Sequence, residues 1–160
     1  MAIVSDSGPI LSFARAHHLV LLREVTEELI IPAAVYEEIV GRGVGKPGAA
    51  AVQSGAWFKR ETVRNRSRVD RLPQHLHLGE REALVLAVER DAALLVDEVQ
   101  ARKAARRLGI PHFGSLFVLK EAKNRGVVPA VKPILDALLS TGTYISDRLY
   151  RSFLDSLGED

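Results

Sequence analysis

Residues 3–9 read Ile-Val-Ser-Asp-Ser-Gly-Pro, so a short apolar run ends abruptly on a carboxylate. One interpretation is structural, because Asp and Ser at a helix start accept hydrogen bonds from free backbone N–H groups and Pro suits the first helical turn. The other is chemical, because open α/β folds place their ligands at the carboxyl ends of buried parallel strands. Asp6 is therefore the first candidate site residue, with a structural alternative that stays open.

Short apolar runs alternate with longer amphipathic segments along the whole chain. The apolar runs predict strands at 2–5, 29–32, 57–63, 93–96 and 110–113. Helices are predicted at 8–24, with a break near His17 and His18, and at 33–40, 79–90, 100–108, 115–125, 132–139 and 146–157. The glycine-rich segment 41–48 and the arginine-rich segment 64–71 are predicted as loops. Strands alternating with helices predict an α/β fold whose central, mainly parallel sheet is flanked by helices.

Composition restricts the class of protein. Of the 160 residues, 47% are hydrophobic and 26% charged, which is typical of one globular domain with its own core. Cys is absent, which excludes disulfides and thiolate metal sites and fits a reducing compartment. No apolar run is long enough for a membrane span, and the first residues lack a secretory signal. We expect a single cytoplasmic domain over 1–160, with 143–160 as a C-terminal helical extension and no membrane partner.

The net charge of +2 is unevenly distributed. Residues 1–58 are acidic on balance, whereas 59–71 and the later helices are strongly basic. Basic clusters attract phosphates, although a solvated surface is the alternative for any single Lys or Arg. The candidate nucleic-acid contacts are Arg102, Lys103, Arg106, Lys120 and Lys123.

Two familiar nucleotide motifs are excluded. The stretch GRGVGKP would need Gly at position 40 and a hydroxyl at 47 to be a phosphate loop, but Val40 and Pro47 stand there. No G-x-G-x-x-G follows a strand, so a dinucleotide site is unsupported. The histidines form no H-x-x-x-H pair, and His75 and His77 fit an alternating surface segment as well as a metal site.

The acidic residues carry the remaining signal. Asp6 and Asp97 each end an apolar strand, and parallel neighbours bring such ends to the same edge of a sheet. Glu38 follows the second strand, and Glu80 and Glu82 open a helix. Each has a structural explanation as a helix-start or surface charge. Together, carboxylates gathered in one hollow repel one another unless a cation sits among them, and a hard divalent ion is the natural partner of oxygen ligands.

The chain resembles PIN-domain proteins over nearly its whole length, most closely a PIN-like group of predicted nucleic-acid-binding proteins from bacteria and archaea. The similarity lies in five ordered stretches: VSDSGPILSFARAHHLVLL, IIPAAVYEEIV, LGEREALVLAVE, LLVDEVQARKAARRLGIPHFGSL and KEAKNRGVVPAVKPILDAL. The resemblance implies a PIN-like three-layer sandwich. It also implies a ribonuclease that uses Mg²⁺ or Mn²⁺ to hydrolyse single-stranded RNA, and that is the toxin of a toxin–antitoxin pair in many relatives. An antitoxin protein and a homodimer are the implied partners.

The resemblance also implies the roles of individual residues. The four catalytic and metal-binding acids correspond to Asp6, Glu38, Glu82 and Asp97. The supporting positions correspond to Ser7 and Ser115, with Glu80 and Glu98 as alternatives to Glu82 and Asp97. Two departures stand out: the third acid is Glu rather than Asp, and the usual Thr-x-Asp is missing at the fourth position.

Two alternatives accompany this hypothesis. One is a catalytically weak PIN-like module that binds nucleic acid or a protein partner. The other is a different phosphoryl-transfer α/β protein, such as a receiver domain or a DxD-type phosphatase. That second alternative is disfavoured because Ser7-Gly8, rather than x-Asp, follows Asp6.

Overall fold

A computed structural model describes residues 1–160 and contains one five-stranded sheet in which every pairing is parallel. The strands are β1 (Ile3–Ser5), β2 (Leu29–Pro32), β3 (Phe58–Glu61), β4 (Ala93–Leu95) and β5 (His112–Phe113). Their order in the sheet is β3-β2-β1-β4-β5. The chain winds outward from β1 in both directions, and the parallel sheet is the one that the alternation of strands and helices predicted.

Ten α-helices cover the sheet. They are α1 (Ser7–Arg15), α2 (Leu19–Thr26), α3 (Ala33–Tyr36), α4 (Ala49–Ser54), α5 (Arg66–Arg71), α6 (Leu78–Glu89), α7 (Val99–Arg107), α8 (Ser115–Asn124), α9 (Lys132–Ser140) and α10 (Asp147–Ser156). The predicted break near His17 and His18 is confirmed, with His17 in a left-handed conformation at φ 61°. No helix of the chain is long and apolar enough to cross a membrane.

Two hydrophobic cores lie on opposite faces of the sheet. Alternation along a strand sends Leu29 and Ile31 into one core and Ile30 into the other. The first core is filled mainly by α1, α2, α8 and α9, and α10 adds Leu154 to it. The second is filled mainly by α5, α6 and α7. The result is the predicted three-layer arrangement of helices, sheet and helices.

The structure corrects three local predictions. The arginine-rich segment is not all loop, because Asn65 accepts a hydrogen bond from the Arg68 N–H at 3.1 Å and starts α5. Burial of Val69 then fixes this short helix against α6. The predicted helix 33–40 is divided into α3 and a π-helical turn, Glu37–Gly41. Helix α4 was not predicted from the sequence.

Candidate active site

Asp6 and Asp97 follow neighbouring strands at the same edge of the sheet. In the register of β1 and β4, Ser5 lies opposite Leu95. The backbone N–H of Asp6 donates to the Leu95 carbonyl at 3.1 Å, so the pairing extends to the first residue after β1. Both aspartates therefore lie at the carboxyl end of the sheet, as the parallel order predicted.

Asp6 and Glu38 meet at Gly79, the second residue of α6. A Cβ atom at Gly79 would lie 3.2 Å from Oε1 of Glu38 and 3.8 Å from Oδ1 of Asp6. The absence of a side chain at this position lets the start of α6 lie close to both carboxylates without crowding Glu38. Sequence analysis missed this role, and the only signal for it was a glycine next to the candidate acid Glu80.

The Asp6 carboxyl group is buried and has no cationic partner within ion-pair distance. Only 6% of the residue is exposed, and its burial raises the pKa to about 7 from the ordinary 3.8. The backbone N–H of Ser7 opposes this increase in pKa, while the nearby charges of Glu80 and Glu38 add to it. Asp6 precedes α1 but its side chain makes no capping hydrogen bond, so the structural interpretation of this residue loses its main support.

Glu38 is oriented by the residue next to Asp6. The Ser7 hydroxyl donates to Oε2 of Glu38 at 2.5 Å. Glu38 lies within the π-helical turn Glu37–Gly41 rather than in a regular α-helix. Such turns are often found at functional sites, and here the turn carries the carboxylate that contacts Ser7.

Glu80 lies close enough to Asp6 for its charge to act there, and it faces Glu98. Burial raises the pKa of Glu80 first, and the charge and side chain of Glu98 raise it further. One Glu80 oxygen accepts the His77 backbone N–H at 2.7 Å, which makes Glu80 part of the capping box of α6. Glu98 in turn caps α7 by accepting the Ala101 N–H at 2.9 Å. Each carboxylate therefore has a structural role, yet together they extend the acidic group at this edge.

Asp97 is held by the start of α8. Its Oδ1 accepts the Ser115 backbone N–H at 2.7 Å, and its Oδ2 accepts the Ser115 hydroxyl at 2.5 Å. A Cβ atom at Gly114 would come within 2.6 Å of Oδ1, so this close approach requires glycine. The predicted supporting residue Ser115 thus contacts the predicted ligand Asp97 directly.

Both oxygens of Glu82 are engaged by other residues. The residue is buried, with one oxygen accepting the Ala34 N–H at 2.9 Å and the other paired with the Arg66 guanidinium at 2.7 Å. Two residues along a helix rotate a side chain by roughly 200°, so Glu80 and Glu82 face different directions. Glu82, the acid that the resemblance implies for the site, ties α6 to the start of α3 and to Arg66.

No three acidic or histidine side chains in residues 1–160 are arranged to hold one ion directly. The donor set still suits a hard divalent ion, because it consists of carboxylate oxygens around a buried, uncompensated Asp6. Mg²⁺ usually keeps several waters and takes only one or two carboxylates from the protein. The group therefore fits an ion that is held partly through water.

Comparison with known proteins decides the family. A family model described as a PIN domain matches residues 2–159. The chain belongs to the PIN-domain family. Members of this family are generally nucleases that use divalent metal ions.

Among solved structures, the chain is similar to a PilT N-terminus domain protein from the hyperthermophilic archaeon Sulfolobus solfataricus. The two are 14% identical, the match covers 91% of this chain and 98% of the other, and the TM-score is 0.54, which shows a shared fold. No curated protein matches the sequence.

An open groove adjoins the Asp97 side of this PIN domain. The groove has a volume of about 590 Å³ and is bordered by Asp97, Arg102 and Ser115. Its rim carries exposed aromatic side chains, Phe117 at 47% and Tyr144 at 87% exposure. The Phe113 and Phe117 rings lie edge to face, 5.3 Å apart. Apolar surface and a cation therefore meet directly beside a site carboxylate.

The candidate nucleic-acid residues have different environments. Arg102 lines the groove, and Lys103, Arg106 and Lys120 are exposed. Lys123 is instead bound to the end of the chain, where its Nζ donates to the Leu157 carbonyl at 2.6 Å and to Glu159 at 2.8 Å. A side chain held in this way serves the packing of the carboxyl terminus, which the sequence pattern did not indicate.

Proposed function

We propose that this PIN domain is a metal-dependent endoribonuclease that hydrolyses phosphodiester bonds of single-stranded RNA. The observation that carries the proposal is the buried carboxyl group of Asp6, whose pKa is raised to about 7 at the edge of the sheet. Holding such a group ionised near Glu38 and Glu80 costs free energy unless a cation compensates it. Strongly perturbed carboxyl groups at the carboxyl end of a parallel sheet are typical of functional sites.

Mg²⁺ or Mn²⁺ would be held by Asp6, Glu38 and Asp97, partly through water, with Glu80 rather than Glu82 as the fourth acid. The choice of Glu80 follows from the effect of its charge on Asp6 and from the ion pair with Arg66, which already compensates the charge of Glu82. When bound, a divalent ion supplies a more acidic water as nucleophile and neutralises negative charge on the leaving oxygen.

The chain's own residues would orient the reacting groups. Ser7 fixes the rotamer of Glu38, and Ser115 fixes that of Asp97, each through a hydroxyl hydrogen bond. A carboxylate held in this way is positioned before substrate arrives, which lowers the cost of organising the site. Arg102, at the groove beside Asp97, would contact the phosphate backbone of the substrate.

Single-stranded RNA suits the surface next to the site. Exposed aromatic rings such as Phe117 and Tyr144 are the side chains on which unpaired bases stack. The bases of a duplex are already stacked on each other and are not available to these rings.

The same proposal includes a biological role. The protein would be a cytoplasmic toxin that acts as a homodimer and is neutralised by an antitoxin protein. This part rests on the resemblance to PIN toxins.

A second candidate is a PIN-like module that binds nucleic acid or a partner without cleaving it. The observation that favours it is the state of Asp97, because both of its oxygens already accept hydrogen bonds from Ser115. A carboxylate used to cap α8 binds an ion less readily. The two candidates differ in whether divalent ions make the protein cleave RNA.

The deciding experiment measures cleavage of labelled single-stranded RNA by the purified chain with Mg²⁺ or Mn²⁺. Asp6→Asn removes the charge of the central carboxylate, and Asp155→Asn is the matched control on the exposed face of α10. We expect cleavage by the wild type and by the control, and at least a hundredfold loss in Asp6→Asn, since acid–base and metal-binding groups contribute about that much or more. RNA binding without ion-dependent cleavage would instead favour the non-catalytic module.

A further inference from the structure

A shallow basic pocket lies on the flank of the carboxylate group opposite the aromatic groove. Its volume is about 230 Å³, and Glu38 is one of its lining residues. Three cationic side chains, Arg15, Arg42 and Lys46, line it as well. They come from the end of α1 and from the glycine-rich segment that follows the π-helical turn.

The three cations are free of acidic partners. None of them takes part in any of the ion pairs of the chain, and all three are exposed. The nearest carboxylate of the pocket, on Glu38, is already hydrogen-bonded to Ser7. Three cations against the one carboxylate that lines the pocket leave it positively charged, so the pocket gains from binding an anion.

The backbone of the glycine-rich segment is shaped to present these side chains. Gly45 and Gly48 have φ angles of +78° and +94°, which only glycine adopts without strain. The Lys46 N–H donates to the Gly43 carbonyl at 2.9 Å, which closes a turn between Arg42 and the next helix. Gly43 packs so tightly on the carbonyl of Ile39 that no side chain fits there. The segment lacks the phosphate-loop pattern, yet it is an ordered turn that carries two of the three cations.

We propose that Arg15, Arg42 and Lys46 bind a backbone phosphate of the substrate strand, next to the phosphate that is cleaved. The inference rests on the proposed function, because the pocket shares Glu38 with the carboxylate group. It gives the strand a course: the sugar–phosphate chain enters at the basic pocket, crosses Asp6 and continues toward Arg102 and the aromatic groove. Arg15 lies about 12 Å along α1 from Ser7, so the two phosphates are separate binding events.

The choice of a nucleic-acid phosphate over another anion follows from position. An exposed cluster binds a single small anion weakly, since water and salt screen it. A strand that is already held at Arg102 and the aromatic groove presents a further phosphate to the pocket at high effective concentration. The pocket therefore contributes affinity for a strand and little for free phosphate.

The test measures binding without cleavage. A short labelled single-stranded oligouridine is titrated in EDTA between about 50 and 200 mM salt, the range over which phosphate contacts dominate affinity. The triple variant Arg15→Gln, Arg42→Gln, Lys46→Gln is compared with a control of equal charge change, Arg23→Gln, Arg71→Gln, Arg151→Gln, whose residues are exposed and unpaired. Thermal melting confirms that both variants fold.

We expect the pocket variant to bind more weakly, with a salt slope lower by roughly 0.7 for each phosphate that the protein no longer neutralises, and the control to change less. A second measurement replaces one phosphate of the strand at a time by an uncharged methylphosphonate. One replacement should weaken binding to the wild type and have no further effect on the pocket variant, as a thermodynamic cycle requires for two groups in contact. Competition by inorganic phosphate should be weak.

The outcomes separate this inference from the proposed function. If the pocket variant and the control change equally, or if the slope is unchanged, the phosphate pocket is overturned while cleavage by the wild type still supports a nuclease. If the wild type binds RNA through the pocket but no divalent ion makes it cleave, the pocket stands and the nuclease proposal fails. Strong competition by inorganic phosphate would identify an anion site unrelated to a strand.

Discussion

The Ser7 hydroxyl donates to Oε2 of Glu38 across 31 residues of sequence, at 2.5 Å. This contact joins the first turn of α1, directly after Asp6, to the π-helical turn that carries Glu38. Asp6 is one proposed ligand, and the next residue, Ser7, positions a second one, Glu38. A small change at Ser7 therefore tests the organisation of the site without removing any carboxylate.

Ser7→Ala should lower Mn²⁺ affinity and cleavage roughly tenfold to a hundredfold, because residues that orient metal ligands typically contribute that much. Stability should change by about 1 kcal/mol or less, since Glu38 is half-exposed and can be rehydrated. Calorimetric titration with Mn²⁺ and thermal melting measure the two effects. Ser54→Ala, which removes an exposed hydroxyl from α4, is the control. Unchanged Mn²⁺ affinity in Ser7→Ala would remove Glu38 from the ligand set.

Asp6→Asn should stabilise the protein in metal-free buffer at neutral and higher pH. The pKa of the folded state is about 7 and that of the unfolded state 3.8, so the folded state holds the proton more tightly. The Asp6 carboxyl group therefore stabilises the folded state most below pH 4. This contribution is lost as the pH rises to about 7. The full difference is at most roughly 4 kcal/mol.

Urea unfolding at several pH values measures this effect. The curve for Asp6→Asn should fall less than that of the wild type between pH 4 and 7, with the part due to Glu80 remaining, while Asp155→Asn should keep the full fall. A large loss of stability in Asp6→Asn at pH 8 would show that the carboxylate is a helix cap after all.

Divalent ions should compete with the proton on Asp6. Because the ligand must be ionised, affinity for Mn²⁺ should fall about tenfold for each pH unit below 7. Saturating Mn²⁺, at about a hundred times its dissociation constant, should stabilise the protein by roughly 2.7 kcal/mol. Thermal melting with and without Mn²⁺ in mildly acidic and mildly basic buffer checks this, and an equal shift at both pH values would contradict it.

The sheet and the placement of Asp6 and Asp97 at one edge of it followed from local patterns. Short apolar runs separated by helices predict parallel strands, and parallel strands bring their carboxyl ends together whatever the details of packing. The sequence alone does not decide whether Glu80 or Glu82 is the fourth acid of the proposed site. That choice depends on how α6 is rotated over the sheet, where Gly79 lies close to Glu38 and Asp6.

Other features depended on contacts that are distant in sequence. The sequence placed Lys123 with the phosphate-binding residues, but Glu159 at the end of the chain binds it. Residues 1–58 carry more acidic than basic side chains, yet three of their cations lie together beside Glu38. The π-helical turn could not be predicted because its residues fit a regular helix equally well.

Glu80→Gln and Glu82→Gln form a matched pair that tests the assignment of the fourth acid. Both variants keep an oxygen that can accept the backbone hydrogen bond from His77 or Ala34. Glu80→Gln should weaken Mn²⁺ binding with little loss of stability. Glu82→Gln should leave Mn²⁺ binding unchanged and cost about 1 kcal/mol or less, since Arg66 is half-exposed. The reverse pattern would return Glu82 to the ligand set.

Arg102→Ala with Lys103→Ala should weaken binding of single-stranded RNA and lower its salt slope by roughly 0.7 for each phosphate that is no longer neutralised. Arg102 lines the groove beside Asp97, and both residues lie near the start of α7, the end of that helix closest to the site. Arg64→Ala with Arg68→Ala is the matched control, because these residues lie at the start of α5 and touch neither the groove nor the basic pocket.

Lys123→Ala should lower the melting temperature without changing the salt slope, because it frees Glu159 and the end of the chain. Salt-dependent binding curves for the three variants test all of this together. If the Arg64 and Arg68 variant loses slope while the Arg102 and Lys103 variant keeps it, the strand does not cross the carboxylate group toward α7.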